Sequence, residues 1–195
     1  MNNLIKQKQL EILQIELKIK KLELDILKDL HYEFFLPVDG YDNYFISNHG
    51  NIKNSKTNKI MKQKTAKNGY KRIGLSKNGN VKYFLIHRLV SIAFLENPDE
   101  KPKVDHIDEN KTNNNVKNLR WSTPKENKYN QGKNKNNKSG YKGVCFDKQL
   151  NKYKAYININ DKSKHLGYYE TAEEASKAYE TKAKEIHGEF YYKNK

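Results

Sequence analysis

The chain has 195 residues, with 38 Lys and Arg against 23 Asp and Glu, a net charge of +15 and a hydrophobic share of 35%. That length allows one ordinary domain or two to three small ones, and the low apolar share favours compact modules over one large core. Cys145 is the only cysteine, which excludes an internal disulfide framework, an iron–sulfur cluster and a cysteine-rich zinc finger, and points to a reducing compartment.

In chain order, Met1-Asn2-Asn3-Leu4-Ile5-Lys6 lacks the order of a signal peptide, and no run of eighteen apolar residues follows anywhere. The expectation is a soluble cytoplasmic protein without a membrane span. Residues 4–30 read as a helix free of Gly and Pro. Ile5, Ile12, Ile19 and Ile26 recur every seven residues with Ile15 and Leu22 between them, while Lys8 and Asp29 interrupt the outer positions. Leu10, Leu13, Leu17, Leu24 and Leu27 make a second stripe. Two apolar stripes need partners, either in a coiled coil with another copy or on the protein's own body.

Residues 31–82 change to short strands punctuated by Asp39-Gly40, Asn48-His49-Gly50, Asn68-Gly69 and Asn78-Gly79-Asn80. The Asn78-Gly79 pair predicts a tight hairpin, because both residues tolerate the positive φ it needs. Residues 51–82 hold ten Lys or Arg, Lys71 and Arg72 among them, and no acid. Such a block suits a surface that meets phosphate, though 35 of the 38 basic residues are lysine and 25 residues are asparagine, a bias that A-rich codons would inflate. Ile86, Leu89, Val90, Ala93 and Phe94 predict a helix over 85–95. Short strands follow at 104–107 and 116–121, then a helix opened by Thr123, Pro124 and Glu126 as a capping box. Residues 130–140 contain no apolar side chain and read as a flexible cationic linker. Three strands and a helix complete the chain. Tyr153, Ala155, Ile157 and Ile159 alternate with Lys154, Tyr156, Asn158 and Asn160, and Thr171 to Glu174 forms a second capping box.

Asp105, His106, Asn118 and Asn127 fall on a strand, loop, strand and helix that can meet at one edge of a hairpin. An imidazole, a carboxylate and carboxamide oxygens suit hydrolysis assisted by one hard divalent cation, Mg²⁺ or Mn²⁺ rather than zinc. On spacing alone, these residues are better read as turns and caps in an asparagine-rich chain.

The clusters His87-Arg88-Leu89-Val90, Val104-Asp105-His106-Ile107-Asp108, Thr112-Asn113-Asn114, Asn118-Leu119-Arg120-Trp121, Thr123-Pro124 and Glu126-Asn127 together resemble an HNH homing endonuclease of phages and mobile introns. The resemblance implies His106 as general base, Asn118 as the residue that orients it, and Asp105 and Asn127 as metal ligands for one Mg²⁺ or Mn²⁺, without zinc. Asn at the last position resembles the nicking members. Residues 37–52 resemble the small nuclease-associated module that precedes such nucleases. Gly140-Tyr141-Lys142-Gly143-Val144, Leu166-Gly167-Tyr168-Tyr169 and Ala178-Tyr179 resemble the three-stranded DNA-binding domain of plant ethylene-response factors (Apetala-type). Its DNA-facing positions correspond to Lys142, Cys145, Asp147, Tyr156, Asn158, Ser163 and His165, so the arginine-based code of that family does not transfer.

The expectation is an α+β chain of several modules: an N-terminal helix at 1–30, a β-rich DNA-binding module at 31–82, an HNH nuclease at 83–129, a basic linker at 130–140 and a sheet-plus-helix domain at 141–195. Double-stranded DNA is the expected partner, contacted by Lys71, Arg72, Arg120, Lys142, Tyr156, Asn158 and His165, with self-association through the N-terminal helix as a further possibility and no membrane. The competing reading is a DNA-binding regulator whose nuclease has decayed. If the chain is phage-encoded, it acts in the host cytoplasm.

Overall fold

The computed structural model describes residues 2–29, 32–159 and 162–194. Asn160 of the predicted alternation lies outside them, as do the side chains of Leu24, Ile26, Leu27 and Asp29 in the N-terminal stripes. Small antiparallel sheets alternate with helices, an α+β architecture. The chain divides into two compact units, residues 1–95 with 114–117, and 96–113 with 118–195. The predicted 83–129 module is therefore shared between them. Its first helix belongs to the first unit, and its hairpin and second helix belong to the second.

In the first unit, helix α1 (Asn2–Asp29) carries both apolar stripes into solvent: Ile5, Leu10, Ile12, Leu13, Ile15, Leu17, Ile19 and Leu22 are 50–63% exposed. Docking of these side chains on the protein's own body is not what the structure shows. Strands β1 (Phe35–Val38), β2 (Tyr41–Ser47), β3 (Ile52–Asn54) and β4 (Lys59–Ile60) form an antiparallel meander. Strands β5 (Lys64–Thr65), β6 (Lys71–Lys77) and β7 (Asn80–Leu85) form a second sheet. The Asn78-Gly79 hairpin forms as predicted, with φ of 52° and 79° and Lys77 paired to Asn80. Helix α2 (Ile86–Phe94) packs on β1, β2, β6 and β7; its Ile86, Leu89, Val90 and Phe94 are buried, as are Ile46 of β2 and Ile73 and Leu75 of β6. Each such side chain contributes roughly 1.5–3 kcal/mol by leaving water. Asn48 is a polar clasp here: its Oδ1 accepts from the Phe34 amide at 3.0 Å and its Nδ2 donates to the Tyr32 carbonyl at 2.8 Å.

In the second unit, β8 (Lys103–His106) pairs with β9 (Leu119–Ser122), and α3 (Pro124–Asn130) follows. Residues 116–118, expected as strand, form a 3₁₀ turn that delivers the chain to β9. Strands β10 (Val144–Asp147), β11 (Lys152–Ile159) and β12 (Lys162–Tyr169) form a sheet in that order, and α4 (Ala172–His187) covers one face. Ala175 and Ala183 have no exposed surface, so α4 approaches Val144, Ala155 and Ile157 closely. Gly143 sits at φ +74° against the Tyr179 ring, where a Cβ would overlap the ring. Glycine is required there by both backbone and space.

The segment 130–140 is more ordered in its bonding than a flexible linker. Asn130 is buried, Asn137 donates to the Tyr141 carbonyl at 2.8 Å, and Ser139 donates to the Val144 carbonyl at 2.8 Å. Its Asn and Ser side chains replace the missing apolar contacts with backbone hydrogen bonds. Among the described residues, no helix is long and apolar enough to cross a membrane.

Candidate active site

The site begins with a well-defined helix start. Thr123 Oγ1 accepts from the Glu126 amide at 3.2 Å, and Glu126 Oε2 accepts from the Thr123 amide at 2.6 Å, the reciprocal box read from the sequence. Burial raises the Glu126 pKa, but hydrogen bonds from Thr123 and Lys101 outweigh it and hold the carboxylate below its usual value. Lys101 Nζ lies 3.0 Å from Glu126 Oε1. The cap sets the direction of α3, which carries Asn127 one turn in and brings Asn130 to the hairpin.

Asp105 and His106 end β8 and are both about 5% exposed. Asp105 Oδ2 accepts from Arg120 Nε at 2.9 Å and from Nη2 at 2.8 Å, across the register pair Asp105↔Arg120. Its Oδ1 accepts from Asn130 Nδ2 at 3.2 Å, and the same amide donates to the His106 carbonyl at 2.8 Å. Arg120 is held from its far side as well. Nη1 donates to the Glu189 carbonyl, and the guanidinium carbon lies 3.9 Å from the Phe190 ring centroid.

This corrects the reading of Arg120 as a DNA contact. The side chain is 12% exposed and its planar fork is committed to Asp105, because a carboxylate this buried requires a counter-charge.

Asn118 lies where the hairpin closes. Its Oδ1 accepts from the Asp108 amide at 2.9 Å, and its Nδ2 donates to Asp108 Oδ1 at 2.8 Å and to the Asn113 carbonyl at 2.9 Å. The structure thus places its carboxamide on the 108–113 loop. Asp108 accepts from the Asn110 amide at 2.8 Å and from Asn113 Nδ2 at 2.7 Å. Partial burial raises its pKa, but the bonds from Asn113, Asn110 and Asn118 and the charge of His106 prevail, leaving it below 3.8. A carboxyl with a lowered folded pKa stabilises the fold above its unfolded value and loses that contribution as pH falls through the folded value. Amide exchange should therefore show the Asn110 amide keeping its protection until the pH falls below the usual carboxylate range, while Asp108→Ala should lose that protection at neutral pH.

Asn127 lies one turn into α3, half-buried, with its amide donating to the Thr123 carbonyl at 3.0 Å. Among the described residues its side chain makes no hydrogen bond. Asn130, Asp108 and the Glu189–Phe190 turn were not anticipated. A signal existed for Asn130, which follows Asn127 by three residues on one helix and so shares its face.

Of the other expected DNA contacts, Lys71 and Arg72 lie on β6 in the first unit, where the Arg72 guanidinium is 5.0 Å from the Tyr83 ring. Tyr156, Asn158 and His165 lie on the face of the C-terminal sheet opposite Ala155 and Ile157. Tyr156 pairs with His165 and Asn158 with Ser163, while Cys145, Lys154 and Tyr168 line up across the three strands. Lys142 precedes this sheet and is drawn inward: Nζ donates to the carbonyls of Tyr129 at 2.8 Å and Gln131 at 2.6 Å. Burial pulls its pKa down to about 8, partly offset by Glu109. Lys142 is thus half-buried rather than fully open on the outward sheet face.

The NUMOD4 motif model matches residues 33–76, and the HNH endonuclease model matches residues 84–129, the stretch that holds Asp105, His106, Asn118 and Asn127. The protein 3.8 of Escherichia phage T7 is 33% identical over 87 residues, 45% of this chain and 71% of that protein. The chain belongs to the HNH endonuclease family. The uncharacterized HNH endonuclease L245 of Acanthamoeba polyphaga mimivirus is 36% identical over 132 residues, covering 68% of this chain and 40% of that protein. The DNA endonuclease I-HmuI of Bacillus phage SP01 is 46% identical over 95 residues, 48% of this chain and 55% of that protein. A solved structure of DNA binding and cleavage by the HNH homing endonuclease I-HmuI matches 50% of this chain and 57% of that chain, at 45% identity and a TM-score of 0.48. This HNH chain thus spans between two fifths and just over half of the length of these last two relatives. Neither family model extends beyond residue 129.

Proposed function

We propose that this chain binds double-stranded DNA and hydrolyses a phosphodiester bond with one divalent ion, Mg²⁺ or Mn²⁺, cutting one strand at a time. The observation that carries this reading is the junction of Asp105 and His106, at the end of β8 and inside the matched HNH stretch, with Asn130 on the capped helix that also carries Asn127.

The residues fit a hard cation. Arg120 and Asn130 fill three of the roughly four acceptor sites of the Asp105 carboxylate, leaving one on Oδ1, and the Asn127 carboxamide would offer a second oxygen from α3. Asp105 and Asn127 would hold the ion, which would supply positive charge to the scissile phosphate and its leaving oxygen. His106 takes the proton from the attacking water. The water oxygen forms the new bond to phosphorus, and the bond to the leaving sugar oxygen breaks. Asn118 acts as a positioning residue by fixing the loop that follows His106. Asn130 holds the His106 carbonyl and the Asp105 carboxylate in one frame. Outside the site, the face bearing Tyr156, Asn158 and His165 reads bases, as in the Apetala-type domain it resembles, while Lys71 and Arg72 meet phosphate. Such a protein, if phage-encoded, works in the host cytoplasm.

A plasmid-nicking assay tests this reading. Nicked circles with Mg²⁺ or Mn²⁺ and none with chelator support it. Intact DNA with undiminished binding under every metal condition would favour the regulator with a decayed site.

The exposed stripes of α1 support self-association as a second element of the proposal. A deletion of residues 1–31 should sediment as a monomer at tens of micromolar, on the order of usual assay concentrations, whereas the full chain should not. A monomeric full chain would remove this element.

A further inference from the structure

Within the second unit, a cavity of about 590 Å³ opens between α3, the 130–140 segment and the end of β11. Its size lies in the ~300–1,000 Å³ range of small-ligand pockets. Lysines 125, 128, 133 and 142 contribute to its wall, as do the rings of Tyr129 and Tyr156 and the amide of Asn158. Among the described residues, no Asp or Glu lines it. The face of α3 that borders it is distinct from the one carrying Asn130 to Asp105.

His187 supplies the second observation. It is 8% exposed, lines this cavity and stacks on Tyr129 with ring centroids 3.6 Å apart and 16° between planes. Its Nδ1 is buried and, among the described residues, has no hydrogen-bond partner. A buried polar atom left without a partner is costly, so the His187 ring gains from any adjustment that brings Nδ1 a hydrogen-bond partner. Burial, Lys142 and Lys125 all lower the His187 pKa, so the wall already disfavours further positive charge and suits an anion.

We propose that this cavity binds a nucleoside monophosphate unit, its phosphate on the lysines and its base on the aromatic and amide side. Two sources carry that chemistry: a nucleotide extruded from bound DNA and a free nucleotide. The lining separates the two parts of such a ligand, since lysines concentrate on α3 and the 133–142 stretch while Tyr156 and Asn158 come from β11. Tyr156 is partly exposed, as a stacking surface must be. This inference extends the DNA reading above, because it takes two of the sheet's predicted DNA contacts and turns them towards the nuclease helix.

The test compares the full-length protein on three probes: a perfect duplex, the same duplex with one unpaired nucleotide, and free deoxynucleoside monophosphates with inorganic phosphate as reference. The unpaired nucleotide should tighten binding about tenfold, the size of one stacked base. Lys128→Gln and His187→Phe should bring that ratio towards one. The second keeps a ring on Tyr129 while removing Nδ1, and the first lies on an exposed position, so one serves if the other misfolds. A wild-type ratio of one, or a ratio that both variants leave intact, overturns the proposal. If no duplex binds at all, the DNA reading fails instead. NMR shifts of the His187 and Tyr129 rings with free nucleotide then decide the cavity alone: saturable shifts tighter than those with phosphate support it and name the free source, and shifts no different from phosphate overturn it.

Discussion

Replacing His106 by Ala should lower the cleavage rate by roughly 10²–10⁴-fold while leaving DNA affinity within a factor of two or so, because a general base acts on the transition state and adds little to ground-state binding. The residue is buried at the end of β8, its carbonyl held by Asn130, so the backbone that carries it should survive the change. Two comparisons make the result specific. Asp105→Asn should fail through the ion, with activity partly recovered by raising Mn²⁺. Asn118→Ala should lose less than His106→Ala, since its amide bonds reach the 108–113 loop. A His106→Ala protein that nicks DNA at the wild-type rate would move the base to another residue.

Arg120→Met should destabilise the second unit by about 3–5 kcal/mol, the usual cost of leaving one member of a buried ion pair without its partner. Asp105 has a side chain 5% exposed and would retain one Asn130 bond against the loss of both guanidinium bonds. Urea unfolding should show the drop. The double variant Arg120→Met with Asp105→Asn should recover much of it, because no unpaired charge then remains buried. The same variants separate two roles for Arg120. A phosphate-contacting cation contributes about 0.9 to the log–log salt slope of DNA binding. The folded fraction of Arg120→Met should keep the wild-type slope, and a slope reduced by that amount would return Arg120 to the DNA surface.

Where local rules act alone, the sequence was a good guide. The capping boxes at Thr123 and Thr171, the Asn78-Gly79 turn and the 3.6-residue periodicity of Ile86 to Phe94 each depend on residues a few positions apart, and each formed as read. The features that escaped it depend on distant partners. Arg120 looked like one more cation in a basic protein, and only the pairing of β8 with β9 sets it against Asp105. Lys142 sits in a glycine-rich, lysine-rich stretch, and its burial follows from carbonyls at 129 and 131 that no periodicity reveals. The 130–140 segment has no apolar residue, yet its Asn and Ser side chains bond backbone groups from 106 to 144. The four residues singled out between 105 and 127 do lie on the hairpin and its helix, but Asn118 faces the loop, and Asn130 holds the place beside Asp105 and His106.

The clamp on Arg120 also bears on how such chains can be reassembled by recombination. The segment 130–140 looks like a natural seam between the HNH stretch and the tail that follows it, yet a crossover there would part Arg120 from the Glu189 carbonyl and the Phe190 ring. An incoming tail could fold perfectly and still leave the guanidinium loose over Asp105. Module exchange in this lineage is thus constrained by a tie across 69 positions, and a successful graft must carry an aromatic ring and a backbone acceptor at its far end.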